Sequence, residues 1–557
     1  MIKHRLSLFY AALLLILLLL GLQLWPAERK GVPASFADDP ADVNSFLPLL
    51  SNGTGSSATP QPPTPTLTPS PTPTATATGT MMPGPTATAT ATATATPDDD
   101  GLNDPPRIHS GAIAFTKQVI ARGVRHARFV VAADFDEDGD IDAGATSGYY
   151  GQVRYYENDG SGHFTESILD PNLGGAYPAH VGDVDLDGRP DIMAGGYLNH
   201  TFTWYRNDGG GAFTRHVLDN KAWGAHSIIN VDLDQDGDID FLTSWQDGST
   251  IAWYENDGSL NFTRHIIDET ALAAKRAEAA DLDGDGDIDI ISASYGNNQI
   301  AWHENDGEQN FTKHVIDAHA SAAYYAFPSD IDEDGDIDFF AAIRRADTVA
   351  WYENDGTAAF SKHVVDDDSI QVRAVLGLDL DRDGDVDALA PSVEDNTVAW
   401  HENDGEENFT KHIIDQTAVG VYGVFAIDID FDGDIDVLSA SRDGDEVALH
   451  AQIRAHEAAV SQGGTLPIDE TILLTVDEDD GPGELTYRIT AAPQFGEIRV
   501  DGLPVGSFTQ ADVDASRVTY VHGGTSSLAD IFNFTVADGG EDGLQPAGGV
   551  FSISVID

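Results

Sequence analysis

The sequence predicts an all-β chain: a seven-bladed β-propeller of 49-residue blades, its ring closed by an N-terminal strand, followed by a β-sandwich. Three observations predict it. An acidic nonapeptide recurs at Asp134, Asp183, Asp232, Asp281, Asp330, Asp379 and Asp428, each start 49 residues from the last. Each repeat reads as four short strands. The two ends of the array hold complementary fragments of one repeat.

The repeat from Ala274 to Asp317 shows the strands in order. "AKRAEAA" leads into the acidic loop, and "IDIISAS" follows it. A "YGNN" turn, then "QIAWHE", then the turn "NDGEQN", then "FTKHVID" complete the unit. No stretch keeps a helical period. Four strands in about 40–50 residues suit a propeller blade, whereas a solenoid would want capping units at both ends. A phenylalanine keeps register with the loops at positions 115, 164, 213, 262, 311, 360 and 409. So does an aromatic at Tyr155, Trp204, Trp253, Trp302, Trp351 and Trp400, with Leu449 seventh.

Phe115 stands before the first acidic loop, so "AFTKQVI" is a fourth strand without a preceding three. The last repeat reaches "EVALHAQ" and lacks the continuation. The N-terminal fragment therefore supplies the strand the last blade is missing, which closes the ring and removes exposed sheet edges. The expected organisation is a leader over 1–25, a stalk over 26–107, the propeller over 108–453 and a sandwich over 456–557. The sandwich is read from alternating strands between Gly, Asp and Pro turns, as in "ELTYRITAAPQFGEIRVDG". The stalk is read from Thr59 to Pro97, nearly all Pro, Thr, Ala and Ser, which cannot build a core. In the leader, Lys3 and Arg5 precede an apolar run from Leu6 to Trp25. That run is long enough for a membrane anchor and is equally read as a cleaved export signal.

Composition narrows the partners. With 93 acidic and 29 basic residues the formal charge is −64, which repels nucleic acid and anionic membrane. Apolar residues make up 41%, enough for packed cores. There is no cysteine, so no disulfide can staple the fold.

The loops follow D-x-D-x-D-G-D-x-D. Third positions are Asp136, Asp185, Asp234, Asp283, Asp332, Asp381 and Asp430, and fifth positions are Asp138, Asp187, Asp236, Asp285, Asp334, Asp383 and Asp432. Seventh positions are Asp140, Arg189, Asp238, Asp287, Asp336, Asp385 and Asp434, and ninth positions are Asp142, Asp191, Asp240, Asp289, Asp338, Asp387 and Asp436. The aspartates at these positions make up 34 of the 93 acidic residues, and carboxylates so close repel one another by kilocalories unless neutralised. Alternating carboxylates around a glycine bend suit Ca²⁺, which takes about six to eight oxygens. About seven ions, one per blade, are expected. Side chains at positions one, three, five and nine would donate, and position seven would offer a backbone carbonyl, which accounts for Arg189. A side chain at the sixth-position glycine, such as Gly139 or Gly286, is expected to clash. Mg²⁺ keeps more water, and transition metals want His or Cys, which the loops lack. An EF-hand is excluded, because the twelfth position is Ala, Thr or Ser and the flanks are strands.

With loops and ring together, the array resembles the FG-GAP/VCBS-type repeats, similar to those of the integrin α-subunit propeller, although the Phe-Gly…Gly-Ala-Pro signature is absent. The resemblance implies a calcium-stabilised propeller and, in many members, adhesion or recognition. "LTYRITAAPQFGEI", "FTQADVDASRVTYVH" and "DIFNFTVADGG" resemble the CSPG/cadherin-like repeat, which implies a cadherin/Ig-like sandwich. Asp477, Asp479 and Asp538 there are weak metal candidates.

The remaining features are read more plainly. "ENDG" is turn chemistry, the tryptophans are blade packing, and His216, His265, His314, His363 and His412 lie on the outer strands. Six residues before each loop stand Arg128, Tyr177, His226, Lys275, Tyr324, Arg373 and Tyr422. If first strands line the channel, these form a basic and aromatic ring at its mouth, a candidate surface for an anionic glycan or protein. No nucleophile elbow, zinc motif or phosphate loop occurs, and no blade carries an insertion. The expected function is a non-enzymatic extracellular or cell-surface recognition module with a protein or glycan partner. An extracellular carbohydrate-active enzyme such as a polysaccharide lyase, and a structural module of a surface assembly, are the competing readings.

Overall fold

A computed structural model describes residues 107–108 and 112–556, apart from 432–433, 470–471, 477–481, 526, 528 and 538–546. The leader and stalk up to residue 106 lie outside the described residues, as do Asp432, Asp477, Asp479 and Asp538. Among the described residues no helix is long and apolar enough to cross a membrane.

Six four-stranded antiparallel sheets follow one another as blades 1 to 6. Blade 1 is Ala127–Ala133, Asp142–Ser147, Gln152–Asn158 and Phe164–Asp170. Blade 4 is Ala274–Ala280, Asp289–Ser294, Gln299–Asn305 and Phe311–Asp317. Each second strand is buried at all six positions, because neighbouring blades cover both its faces. That is why "DIISAS" carries apolar and small residues on both sides of the pleat. Fourth strands such as Phe311–Asp317 form the exposed rim.

Blade 7 has three strands from the C-terminal side of the array, Val421–Ile427, Asp436–Ser441 and Glu446–Ser461. Ala112–Arg122 supplies the fourth, running antiparallel from Ala112 opposite Ala455 to Arg122 opposite Glu446. Blades 7 and 1 then share a core in which Val130, Ala145 and Tyr156 pack with Leu438, Val447 and Leu449. The N-terminal strand thus completes the last blade of the ring.

A repeated polar tie joins neighbouring blades. The aspartate ending each fourth strand is held by the next blade. Asp219 accepts from Tyr254 Oη at 2.8 Å and Arg264 Nη1 at 2.9 Å. Asp366 meets His401 Nε2 at 3.0 Å and Lys411 Nζ at 2.7 Å. Asp415 is held by Lys117 of the closing strand at 2.9 Å. The junction of blades 7 and 1 departs from this rule, with Ala121 at the aspartate's place and Glu166 at the cation's. Glu166 pairs instead with Arg154 of its own blade. Both halves of the tie change together, so no charge faces an empty partner.

The boundary expected between 453 and 456 falls inside Glu446–Ser461, which is one continuous strand. Its first part belongs to blade 7. Its last part pairs in parallel with Ala547–Ile556, from Arg454 opposite Gly549 to Ser461 opposite Ile556. The chain needs no turn here because an extended strand can present successive segments to different partners. The sandwich core is aromatic, with Tyr487, Phe508, Tyr520, Phe532, Phe534 and Phe551 buried together.

Candidate metal centre

Each acidic loop joins the first and second strands of its blade. Its bend needs left-handed backbone at two places. The sixth-position glycines have φ from +89° at Gly188 to +107° at Gly384, and the fourth position is also left-handed, as at Glu137, Leu186, Gln235 and Arg382. The expected clash at the glycine is not found. A Cβ at Gly139, Gly188, Gly237, Gly286, Gly335 or Gly384 would meet nothing within 4 Å. The requirement is conformational rather than spatial.

Within the loop the first carboxylate braces the turn. Asp281 Oδ2 accepts from Gly286 N at 2.9 Å and Asp379 Oδ2 from Gly384 N at 3.0 Å. The ninth aspartate is a buried hub. Asp240 accepts from Leu233 N at 3.2 Å and Asn256 N at 2.7 Å, so it ties the loop's start to the third strand. Tyr155 Oη, Trp204 Nε1 and Trp351 Nε1 add a third donor to Asp142, Asp191 and Asp338.

Carboxylates converge around one point per loop. Ligand atoms of Asp134, Asp136 and Asp142 lie within 4.8 Å of one another, as do those of Asp232, Asp234 and Asp240 and of Asp330, Asp332 and Asp338. In blade 4 the converging set is Asp281, Asp283 and Asp285. Several buried oxygens of the loop carboxylates have no hydrogen-bond donor: Oδ1 of Asp185, Asp232, Asp234, Asp330 and Asp381. Leaving a buried acceptor unsatisfied costs about 1–3 kcal/mol. Burial pushes Asp142, Asp191, Asp289 and Asp338 up to about 6, Asp240 up to about 8 and Asp387 up to about 9. Burial and the Asp383 charge push Asp381 up to about 7. An all-oxygen donor set with orphaned acceptors fits a hard cation, and these groups can hold metal ions.

Blade 2 differs. Arg189 Nη2 meets Asp187 directly, and its Nε donates to Asn207 O at 3.1 Å. Arg206, where five blades carry Glu, puts Nε 3.7 Å from Asp185 and Nη2 2.8 Å from Asp208. Two guanidinium groups therefore lie on this loop's own carboxylates. In blade 7, Arg454 Nε is 3.8 Å from Asp434 Oδ1.

"ENDG" does more than turn. The backbone N–H of the Asn donates to the ninth aspartate, as Asn305 does to Asp289 at 2.7 Å. The Asp caps its own turn, with Asp257 accepting from Ser259 N at 2.9 Å. A Cβ on the glycine would strike the seventh-position carboxylate, 2.5 Å away for Gly258 and Asp238. The Glu accepts from the outer histidine: His265, His314 and His363 reach Glu255, Glu304 and Glu353 at 2.7, 2.7 and 2.8 Å. Those histidines also stack on Trp253, Trp302 and Trp351 at 4.6–4.8 Å. The joint recurrence of Glu and His ten residues apart was the available signal.

A groove of about 430 Å³ opens between blades 5 and 6, lined by Asp332, Trp351, Glu353, His363, Glu406 and Glu407 among others. Half of its lining residues are acidic.

The seven residues expected to ring the channel mouth do meet, but as a plug. Tyr177, His226, Lys275, Tyr324, Arg373 and Tyr422 are buried, and Arg128 is half-buried. Tyr177 Oη lies 2.7 Å from Tyr324 Oη, which also meets Tyr422 Oη. Lys275 Nζ donates to Gln246 Oε1 at 2.6 Å. Long side chains on the first strands reach the axis and pack against one another, so the row forms a largely buried plug rather than an open ring.

Residues 452–555 match the cadherin-like family. Chondroitin sulfate proteoglycan 4 of Mus musculus is 41% identical over 83 residues, 14% of this chain and 4% of that protein. Extracellular matrix organizing protein FRAS1 of Homo sapiens is 44% identical over 71 residues, 12% of this chain and 2% of that protein. The chain thus spans only a few per cent of these relatives' lengths. Among solved structures, BBS1N in complex with ARL6DN aligns with a TM-score of 0.44 and 11% identity, covering 63% of this chain and 97% of that one. The FG-GAP-like repeat matches at 134–194, 183–243, 232–292, 281–341, 330–390 and 379–439, which together span more than half of the sequence. The chain belongs to the FG-GAP-like repeat family.

Proposed function

We propose that this is an extracellular, calcium-stapled propeller that acts as a non-enzymatic adhesion or structural module, with a sandwich entered directly from the last strand of its last blade. The observation that carries the reading is the set of buried, donor-less carboxylate oxygens at converging loop aspartates. Ca²⁺ fits them best, since its flexible oxygen shell tolerates the differing sets in blades 1, 4 and 5. Blade 2 is the exception: Arg189 and Arg206 already supply the positive charge there. Fewer than seven tightly held ions follow, with blade 2 the empty or weak site.

An extracellular setting supports this chemistry, because calcium there is plentiful and no disulfide is available. The relatives of the sandwich are named as a proteoglycan and an extracellular matrix protein, which agrees with such a setting. The acidic groove between blades 5 and 6 disfavours an anionic polysaccharide substrate. The test is calcium titration of the purified chain by calorimetry, with thermal melts in calcium, magnesium and chelator, and capture of chain-coated beads on matrix proteins. Equal melting in calcium and chelator would refute the calcium reading. Turnover of a polysaccharide, with no capture, would refute the adhesive one.

A further inference from the structure

The channel plug contains two guanidinium groups, Arg128 and Arg373, that form no ion pair among the described residues and each keep a buried Nε without an acceptor. Arg373 is 4% exposed. Its Nη1 donates to Tyr422 Oη at 3.1 Å, and its guanidinium lies 4.7 Å from the Tyr422 ring centroid and 5.4 Å from that of Tyr324. Arg128 lies over the same tyrosine at 4.6 Å and over Tyr177 at 4.8 Å. The Nε of each is buried and has no acceptor. Among the described residues no carboxylate comes within 4.0 Å of either. Asp443, a carboxylate that feels the Arg128 charge, is held by both forks of Arg442 at 2.8 and 2.7 Å. Burial, and the neighbouring charges of Arg344 and Arg128, pull Arg373 down to about 10. Aromatic faces soften the cost of such cations but leave the N–H donors unused.

We propose that the channel mouth on the face away from the acidic loops binds a small anion, an inorganic oxyanion or carboxylate, through the unused donors of Arg128 and Arg373. The chemistry is that of guanidinium forks, which match planar or tetrahedral oxygen anions. Half-exposed Arg128 gives the entry side, and buried Arg373 with the Tyr177–Tyr324–Tyr422 cluster gives the floor. The site is independent of the metal loops and of the adhesive reading.

The test titrates sulfate into the full chain in calcium-containing buffer at fixed ionic strength, by calorimetry and thermal melting. The wild type is expected to bind one sulfate and to melt about 2–4 °C higher at saturation. Arg373→Gln is expected to abolish the heat and the shift. Arg128→Gln, at a half-exposed position, serves if the first variant misfolds and should weaken binding at least tenfold, whereas Arg128→Lys should retain part of it. Equal sulfate responses in wild type and variants would mean a general salt effect only and would overturn the site. So would the absence of any heat in the wild type.

Discussion

Restoring the repeat pattern in blade 2 should create a calcium site and a calcium debt together. The perturbation is Arg189→Asp with Arg206→Glu. In the wild type Arg189 contacts Asp187, and Arg206 Nε lies 3.7 Å from Asp185. Unit charges about 4 Å apart interact by about 4 kcal/mol at an effective dielectric of about 20. These arginines are 26% and 37% exposed, so screening reduces each contribution to about 1 kcal/mol. In chelator the double variant should lose about 2 kcal/mol, or about 2–3 °C in Tm for a folded unit of this size. Calcium at about a hundredfold its Kd returns about 2.7 kcal/mol. Calorimetry should count one more ion than in the wild type, and the Tm gap between calcium and chelator should widen. An unchanged ion count with an unchanged gap would refute the reasoning, as would a wild type that already fills one equivalent tight site in every blade.

Other outcomes follow from the same geometry. Asp234→Asn removes one of the orphaned buried oxygens, so it should be neutral or stabilising in chelator and destabilising by about 2 kcal/mol or more in calcium, read by chemical melts in both buffers. Without metal, ninth aspartates pushed up to about 6–9 keep protons in the fold that the unfolded chain releases near pH 4. Metal-free stability should therefore fall as pH rises from about 4 to 9. Calcium-loaded stability should fall in the opposite direction, on acidification, and parallel Tm-against-pH curves would contradict this. At the tie between blades 5 and 6, Asp366→Ala strips buried His401 and half-buried Lys411 of their partner and should cost about 3 kcal/mol. Asp368→Ala, 79% exposed, should cost under about 0.5 kcal/mol, and a comparable loss in both would deny the tie its role.

Much was legible in the chain itself because it rests on local repetition. Strand, loop and hairpin recur every 49 residues, so each copy confirms the others. The ends, Phe115 early and "EVALHAQ" late, announce the shared last blade. The loop aspartates were visible by their spacing alone, since a cation shell is assembled within nine consecutive residues.

What only the tertiary structure decided involves partners far apart in sequence. Arg206 reaches Asp185 across a hairpin, and the glycine of "ENDG" makes room for the loop's seventh carboxylate. The channel residues looked exposed as a row, yet seven strands bring them to one axis, where they bury each other. Periodicity determines which face of a strand a side chain takes. Whether that face meets water, a cation or six other side chains depends on how the ring closes, and no single repeat contains that information.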